Sequence, residues 1–253
     1  MKDLNINKRI AVLIDADNAQ HSKIKAILEE ISAHGNVLIK RAYGDWSSEY
    51  LKNWKQSLNE LAIQPIQQFA YTIGKNSTDA SLIIDAMDLL YSNKFDAFAI
   101  ISSDSDFTKL ASRLKESEVF VFGVGEKKTP LSFRNACDDF IFTENLNKDL
   151  LIQTATVSKN TLTPVTHNYS NISELIPVLN KAWEQYQDDE GWANIAAVGS
   201  FVKRSQPDFD PRTYGAKKLP EIIESLKEVF EMTKYKGKGT VNIIAYKPKE
   251  TID

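Results

Sequence analysis

Residues 9–142 alternate two apolar patterns, and the alternation leaves few architectures open. The stretches "RIAVLID", "NVLIKRAYG", "FDAFAIIS" and "VFVFGVG" are strand-like and mostly unbroken by polar residues, with "LAIQPIQQF" and "DDFIF" as further extended segments. A strand without a polar face must be covered on both sides. Between these runs, "HSKIKAILEEISAH", "SSEYLKNWKQSLNE", "STDASLIIDAMDLLYSN", "SDFTKLASRLKES" and "PLSFRNA" carry helical spacing. Ile24, Ile27, Leu28 and Ile31 share one stripe of the first helix, and Leu82, Ile83, Ala86 and Leu90 are expected to face inward on the third. The alternation predicts an α/β fold, a parallel sheet flanked by helices.

The pattern then changes. "LIQTATVSKNTLTPVTHNYS" is rich in Thr, Ser and Asn, lacks periodicity and reads as a linker. Beyond it, "ISELIPVLNKAWEQYQ", "ANIAAVGSFVKRS" and "LPEIIESLKEV" read as helices and "VFEMTKYKGKGTVNIIAYK" as two strands about a Gly and Lys turn, the arrangement of a small winged helix-turn-helix. The expected organisation is a first domain over 1–147, a linker over 148–170 and a second module over 171–249.

Residues 201–249 hold 11 Lys and Arg against 6 Asp and Glu, whereas residues 1–200 hold 20 against 26. One end suits anions and the other cations. Cys137 is the one cysteine and cannot form an internal disulfide, while His21, His34 and His167 belong to no ligand motif, so chemistry has to rest on carboxylates. No apolar run reaches the roughly 18 residues of a membrane helix, and "MKDLNINKRI" lacks the apolar segment of a signal peptide, so a cytoplasmic protein without membrane contact is expected.

In an open parallel sheet, ligands bind outside the carboxyl ends of the strands. Asp15 ends "RIAVLID", Asp104 and Asp106 come after "DAFAIISS", and Asp79 starts its helix after "TIGKNS". If the first and fourth strands are neighbours, these acids meet at one edge. Two such charges about 4 Å apart repel by up to about 4 kcal/mol at an effective dielectric near 20, so the cluster calls for a cation. Hard oxygen ligands without His or Cys select Mg²⁺ or Mn²⁺, one or two of which can polarise a phosphodiester. Each acid also has a local reading: Asp104 as a helix cap, Asp106 and Asp79 as favourable charges at helix starts. Asp15 has no such role unless Asp17 or Asn18 caps the turn after it. Asp85, Asp88 and Asp96 are expected on solvated helix or turn faces, with an approach to the site as the alternative for Asp85, and Asp45 either lines the cleft or serves a turn.

Together "VLIDADN", "RAYGDW", "TDASLIIDAMDLL" and "ISSDSDFTKLASRLKESEVFVFGVG" resemble the NYN domain family, in particular its LabA-like branch among the PIN-like nucleases. The resemblance implies a PIN-like, Rossmann-like sheet and a metal-dependent ribonuclease. It places Asp15, Asp79, Asp104 and Asp106 as catalytic and metal-binding acids, and Asn18 as a residue that orients substrate or a water. The second module is similar to the OST-HTH or LOTUS domain, through "FDPRTYGAKKLPEII" and the segments around it, which implies binding to RNA or to a protein. Lys217 and Lys218 precede its third helix, and Lys234, Lys236 and Lys238 alternate along the wing as candidate phosphate ligands, with ordinary solvation as the alternative. Tyr214, Tyr235 and Trp192 are candidates for base stacking, with a core role as the alternative for Trp192. Lys75, Lys40 and Arg41 are candidates for holding phosphates beside the acids, with an ordinary surface charge as the alternative for each.

Three functions are open to such a chain. The first is an RNA nuclease that cuts single-stranded or structured RNA with the first domain and selects it with the second. The second reads "LIDAD" as the nucleophile motif of haloacid-dehalogenase-like phosphatases, with Asp15 attacking and Asp17 as acid or base, although Asn18 and Ala19 replace the usual Gly-Thr. The third is a regulatory RNA-binding or scaffold protein with an inactive acidic site.

Overall fold

The computed structural model describes residues 8–69, 77–146, 171–236 and 242–249. The chain divides into two compact units, Met1–Gln153 and Thr154–Asp253. The expected linker, 148–170, lies outside the described residues. Among the described residues no helix is long and apolar enough to cross a membrane.

In the first unit β1 (Arg9–Asp15), β2 (Asn36–Gly44), β3 (Gln64–Gln67), β4 (Ala97–Ile101), β5 (Phe120–Gly125) and β6 (Asp139–Phe142) form one parallel sheet in the order β3-β2-β1-β4-β5-β6. Helices α1 (Ile24–Ser32) and α2 (Trp54–Glu60) cover one face, and α3 (Ser77–Tyr91), α4 (Thr108–Glu116) and α5 (Leu131–Ala136) cover the other. Successive side chains of a strand point to opposite faces. Ile10, Val12 and Ile14 accordingly enter the core under α1 and α2, while Ala11 and Leu13 enter the core under α3, α4 and α5. This double burial is why β1 and β4 read as unbroken apolar runs. It is also the α/β fold that the family resemblance implies.

On α1 the buried side chains are Ile24, Ile27, Leu28 and Ile31, as the spacing predicts. On α3 they are Leu82, Ala86 and Leu89, with Ile83 and Leu90 only partly covered and Ile84 exposed. Steps of four and three residues keep 82, 86 and 89 on one line of a 3.6-residue helix. The surrounding apolar residues obscured which line it was.

The order of strands reverses direction between β1 and β4, so the carboxyl ends of those two strands flank a topological switch point. β5 approaches it closely: a Cβ on Gly125 would lie 2.7 Å from the carbonyl oxygen of Ser102 and 2.6 Å from Thr129 Oγ1.

The second unit packs α6 (Ile176–Tyr186), α7 (Ile195–Ser205) and α8 (Leu219–Ser225) on an antiparallel sheet of β7 (Ala193–Asn194), β9 (Asn242–Pro248) and β8 (Phe230–Lys236), in that order. Leu179, Val198, Val202, Ile222, Phe230 and Tyr246 fill its core, and the Tyr246 hydroxyl donates to the carbonyl of Leu179 at 2.7 Å. Gly215 has φ +80°, which lets the turn Pro211–Tyr214 stop before α8, and Pro220 sits in the first turn of that helix.

Substituting Gly125→Ala forces a methyl group against the Ser102 backbone, and overpacking of this kind costs about 1–3 kcal/mol. Urea unfolding is expected to show a lower midpoint with an unchanged slope.

Candidate active site

Asp15 closes β1, and the pairing of Ile14 with Ile101 in β4 sets it beside Ser102. Its carboxylate is 1% exposed. Oδ2 accepts hydrogen bonds from Ser102 Oγ at 2.7 Å and from Asn18 Nδ2 at 2.8 Å. Oδ1 is buried and has no hydrogen-bond donor among the described residues. Burial pushes the Asp15 pKa up, and the bonds from Ser102 and Asn18 oppose the shift. A buried anionic oxygen without a donor is costly unless a proton or a cation meets it.

Ser102 Oγ also accepts from the backbone N–H of Asp104 at 3.1 Å, which links Asp15 to the next acid. Asp104 does cap the short turn Ser105–Phe107, its Oδ1 accepting from the N–H of Asp106 at 2.9 Å. The cap fixes the carboxylate rather than removing it from the site. Asp79, in the first turn of α3, Asp104 and Asp106 each offer an oxygen, and these oxygens lie within 4.8 Å of one another. The Asp79 pKa is raised to about 6, by burial first and then by the charges of Asp15, Asp104, Asp106 and Asp17. Its neighbours therefore include Asp15, whose own oxygens lie outside the group of three. Oxygen-only donors at this spacing fit a hard dication, and the buried Asp15 Oδ1, which no described residue hydrogen-bonds, is a second feature that a cation would satisfy.

The structure brings Asp15, Asn18, Asp79, Asp104 and Asp106 to the carboxyl edge of the sheet, with Asn18 spent on Asp15. Lys75 lies outside the described residues, as does Lys238. Lys217, Lys218 and Lys236 belong to the second unit and are exposed, the first two immediately before α8 and the third at the end of β8. Lys40 is used elsewhere, donating to the Leu61 carbonyl at 2.5 Å. Arg41 pairs with Asp85 at 2.5 Å, and Tyr43 donates to the same carboxylate, so Asp85 is a neutralised packing residue rather than a solvated one. Asp96 pairs with Arg9 at 2.9 Å and Asp88 is exposed. Asp45 serves a turn, accepting from Ser47 and from Gln67, yet its charge reaches Asp17. In the second unit Trp192 is half-buried with the Lys247 ammonium 4.8 Å from its ring centre, and Tyr214 packs against Phe209.

Sequence reasoning gave no role to Ser102, and none in a metal site to Asp17 or Thr78. Asp17 is pushed up by burial and held by a hydrogen bond from Thr78, so it joins the same field. Its signal was the two-residue spacing in "DAD"; Ser102 had none, because only strand register sets it against Asp15. Beside the acids runs an open groove lined by Asp79, Ile83, Ser105, Asp106, Lys109 and Ser132. Lys109 brings a cation to that wall.

A family model described as the NYN domain matches residues 9–147, and one described as the OST-HTH/LOTUS domain matches residues 168–242. The chain is 28% identical over 121 residues to the uncharacterized protein MJ0482 of Methanocaldococcus jannaschii, across 46% of this chain and 47% of that protein. It thus spans about half the length of the curated relative it matches. A crystal structure of a protein of unknown function, VPA0982, from Vibrio parahaemolyticus aligns with a TM-score of 0.46 and 16% identity over 56% of this chain and 96% of the other. A solution structure of an uncharacterized protein from gene locus NE0665 of Nitrosomonas europaea aligns with a TM-score of 0.31 and 27% identity over 36% and 87%.

The raised Asp79 pKa sets the sign of a pH effect. A carboxyl with a folded pKa near 6 binds its proton more tightly than in the unfolded chain, so the metal-free fold gains stability as pH falls through 6. Asp79→Asn is expected to raise the metal-free melting temperature at pH 7, with the gain vanishing towards pH 4. Added Mn²⁺ is expected to stabilise the unsubstituted protein more than the variant, as thermal melts will show.

Proposed function

The chain belongs to the NYN domain family, and from that membership we propose that it is a metal-dependent ribonuclease of the LabA-like branch whose second module holds the RNA. NYN domains are generally nucleases, and the OST-HTH/LOTUS domain suggests RNA binding. The observation that carries the reading is the meeting of Asp79, Asp104 and Asp106 within 4.8 Å, beside a buried Asp15 whose Oδ1 has no donor among the described residues.

Asp79, Asp104, Asp106 and Asp15 would hold Mg²⁺ or Mn²⁺. When bound, such an ion supplies charge neutralisation and Lewis-acid polarisation of a phosphodiester. The chain's own contribution is orientation. Ser102 and Asn18 pin Asp15 Oδ2 and so fix where Oδ1 points. Asp104 is held by its cap and by Ser102. Lys109 offers a phosphate ligand on the groove wall, beside Asp106. In the second unit Lys217, Lys218 and Lys236 bind phosphates, giving affinity without sequence preference. Covalent connection of the two modules raises the local concentration of a bound strand at the acids.

Aspartyl-phosphate chemistry fits poorly, because a nucleophile must reach its substrate and Asp15 is 1% exposed with one oxygen taking two hydrogen bonds. A scaffold without catalysis is the outcome in which the protein binds Mn²⁺ and RNA but cuts nothing.

With Mn²⁺ and end-labelled RNA, the purified protein is expected to cleave. Asp104→Asn is expected to lower the rate by about 100-fold or more, and Ser102→Ala, which acts through Asp15, by about 10- to 100-fold. Equal cleavage by Asp104→Asn, or none by the unsubstituted protein, overturns the proposal. The double substitution Lys217→Ala, Lys218→Ala is expected to weaken RNA binding evenly across sequences and to reduce the slope of log K against log salt by about 0.7 for each phosphate no longer neutralised.

A further inference from the structure

The carboxyl edge of the sheet also carries two aromatic side chains that the core does not use. Tyr50 is 92% exposed and Phe69 is 54% exposed. They stand on the segments that leave β2 and β3, on the side of β1 away from β4. Single exposed aromatics are ordinary on protein surfaces. These two stand on a rim that is firmly held. Gln67 Nε2 donates to Asp45 Oδ1 at 2.9 Å, the Trp46 N–H donates to Gln67 Oε1 at 3.0 Å, and the Gln68 N–H donates to the Gly44 carbonyl at 3.1 Å. The turn Glu49–Leu51 that bears Tyr50 is anchored by buried Leu51. A Cβ on Gly44 would lie 2.5 Å from Leu51 Cδ1 and 3.3 Å from the Cβ of Ala16, the residue between Asp15 and Asp17. Tyr50 therefore sits next to a side chain packed on the segment that supplies the first acid.

Charge makes the placement meaningful. An edge bearing Asp15, Asp17, Asp45, Asp79, Asp104 and Asp106 repels phosphates wherever a bound dication or Lys109 does not offset the charge, so a strand lying there gains from attraction that is not electrostatic. Flat base faces on aromatic rings supply it, and a duplex keeps those faces inside its own stack. We propose that Tyr50 and Phe69 form a stacking platform for unpaired bases on the β2–β3 side of the acids, so that the site takes single-stranded RNA. The inference rests on the ribonuclease reading and names the residues that would favour the unpaired form of its substrate over the structured one.

The test uses the full chain carrying Asp104→Asn, so that RNA stays intact, with Mn²⁺ and a short fluorescent RNA without secondary structure. Added Tyr50→Ala or Phe69→Ala is expected to weaken binding by about 5- to 100-fold in anisotropy titrations. Tyr50→Phe is expected to restore it, and the penalty is expected to disappear on an abasic strand with the same number of phosphates. Strands carrying 5-iodouridine are expected to photocrosslink to Tyr50 or Phe69. Unchanged affinity in both alanine variants, an equal penalty on the abasic strand, equal affinity for a blunt duplex, or crosslinks confined to residues 171–249 each overturn the platform. A protein that crosslinks at Tyr50 but whose unsubstituted form cuts nothing would keep the platform and lose the nuclease. A protein that cuts while both alanine variants bind normally would do the reverse.

Discussion

The hydrogen bond from Ser102 Oγ to Asp15 Oδ2, 2.7 Å long and buried at the switch point, couples the end of β1 to the segment that leaves β4. Because the two strands are parallel neighbours, their carboxyl ends are at one level, and the segments that leave them meet there. Ser102 extends the link by accepting from the Asp104 backbone, and the Asp104 side chain in turn fixes the start of the next turn. A chain of short polar contacts thus holds the Asp15 and Asp104 carboxylates and the backbone of Asp106 at places set by the strand ends. Their mutual repulsion is resisted by a sheet whose central strands are buried on both faces.

Much of this was legible in the sequence, for a physical reason. Strands covered on both sides cannot alternate polar and apolar residues, so β1 and β4 announce themselves, and a helix with one covered side announces its period, as α1 does. The acids at strand ends obey the same logic. Pairings between distant segments were not legible. Nothing local to Arg41 indicates that Asp85, 44 residues on, will take its charge, and nothing local to Lys40 points to the carbonyl of Leu61. Apolar surplus hides the buried line as well: "SLIIDAMDLL" has more apolar residues than the sheet covers, and only packing selected Leu89 over Leu90.

The second unit shows the same division. Gly215 and Pro220 report their backbone roles directly, because a left-handed turn and a helix start need those residue types. Trp192 does not report its role. It is half-buried, and an ammonium from β9 lies over its ring, so the lysine that covers it comes from a strand some 55 residues away. Its ring face is engaged by Lys247, whereas Tyr235, on β8 between Lys234 and Lys236, is 40% exposed.

Two half-buried aspartates on one helix make the strongest internal comparison. At about 100° per residue, Asp79 and Asp85 fall on opposite shoulders of the α3 stripe formed by Leu82, Ala86 and Leu89. Both are removed from bulk water to a similar extent, and the fold treats them in opposite ways. Asp85 receives a guanidinium from Arg41 and a phenol proton from Tyr43, whose own pKa is pushed up by burial and by that carboxylate. Asp79 receives the fields of Asp15, Asp104, Asp106 and Asp17, and its pKa climbs to about 6. Neutralising a half-buried acid is therefore within this fold's means, one helical turn and a half away. That, among the described residues, it is done at Asp85 and not at Asp79 argues that the negative charge at the switch point serves a positively charged ligand, since packing alone is satisfied by the arrangement at Asp85.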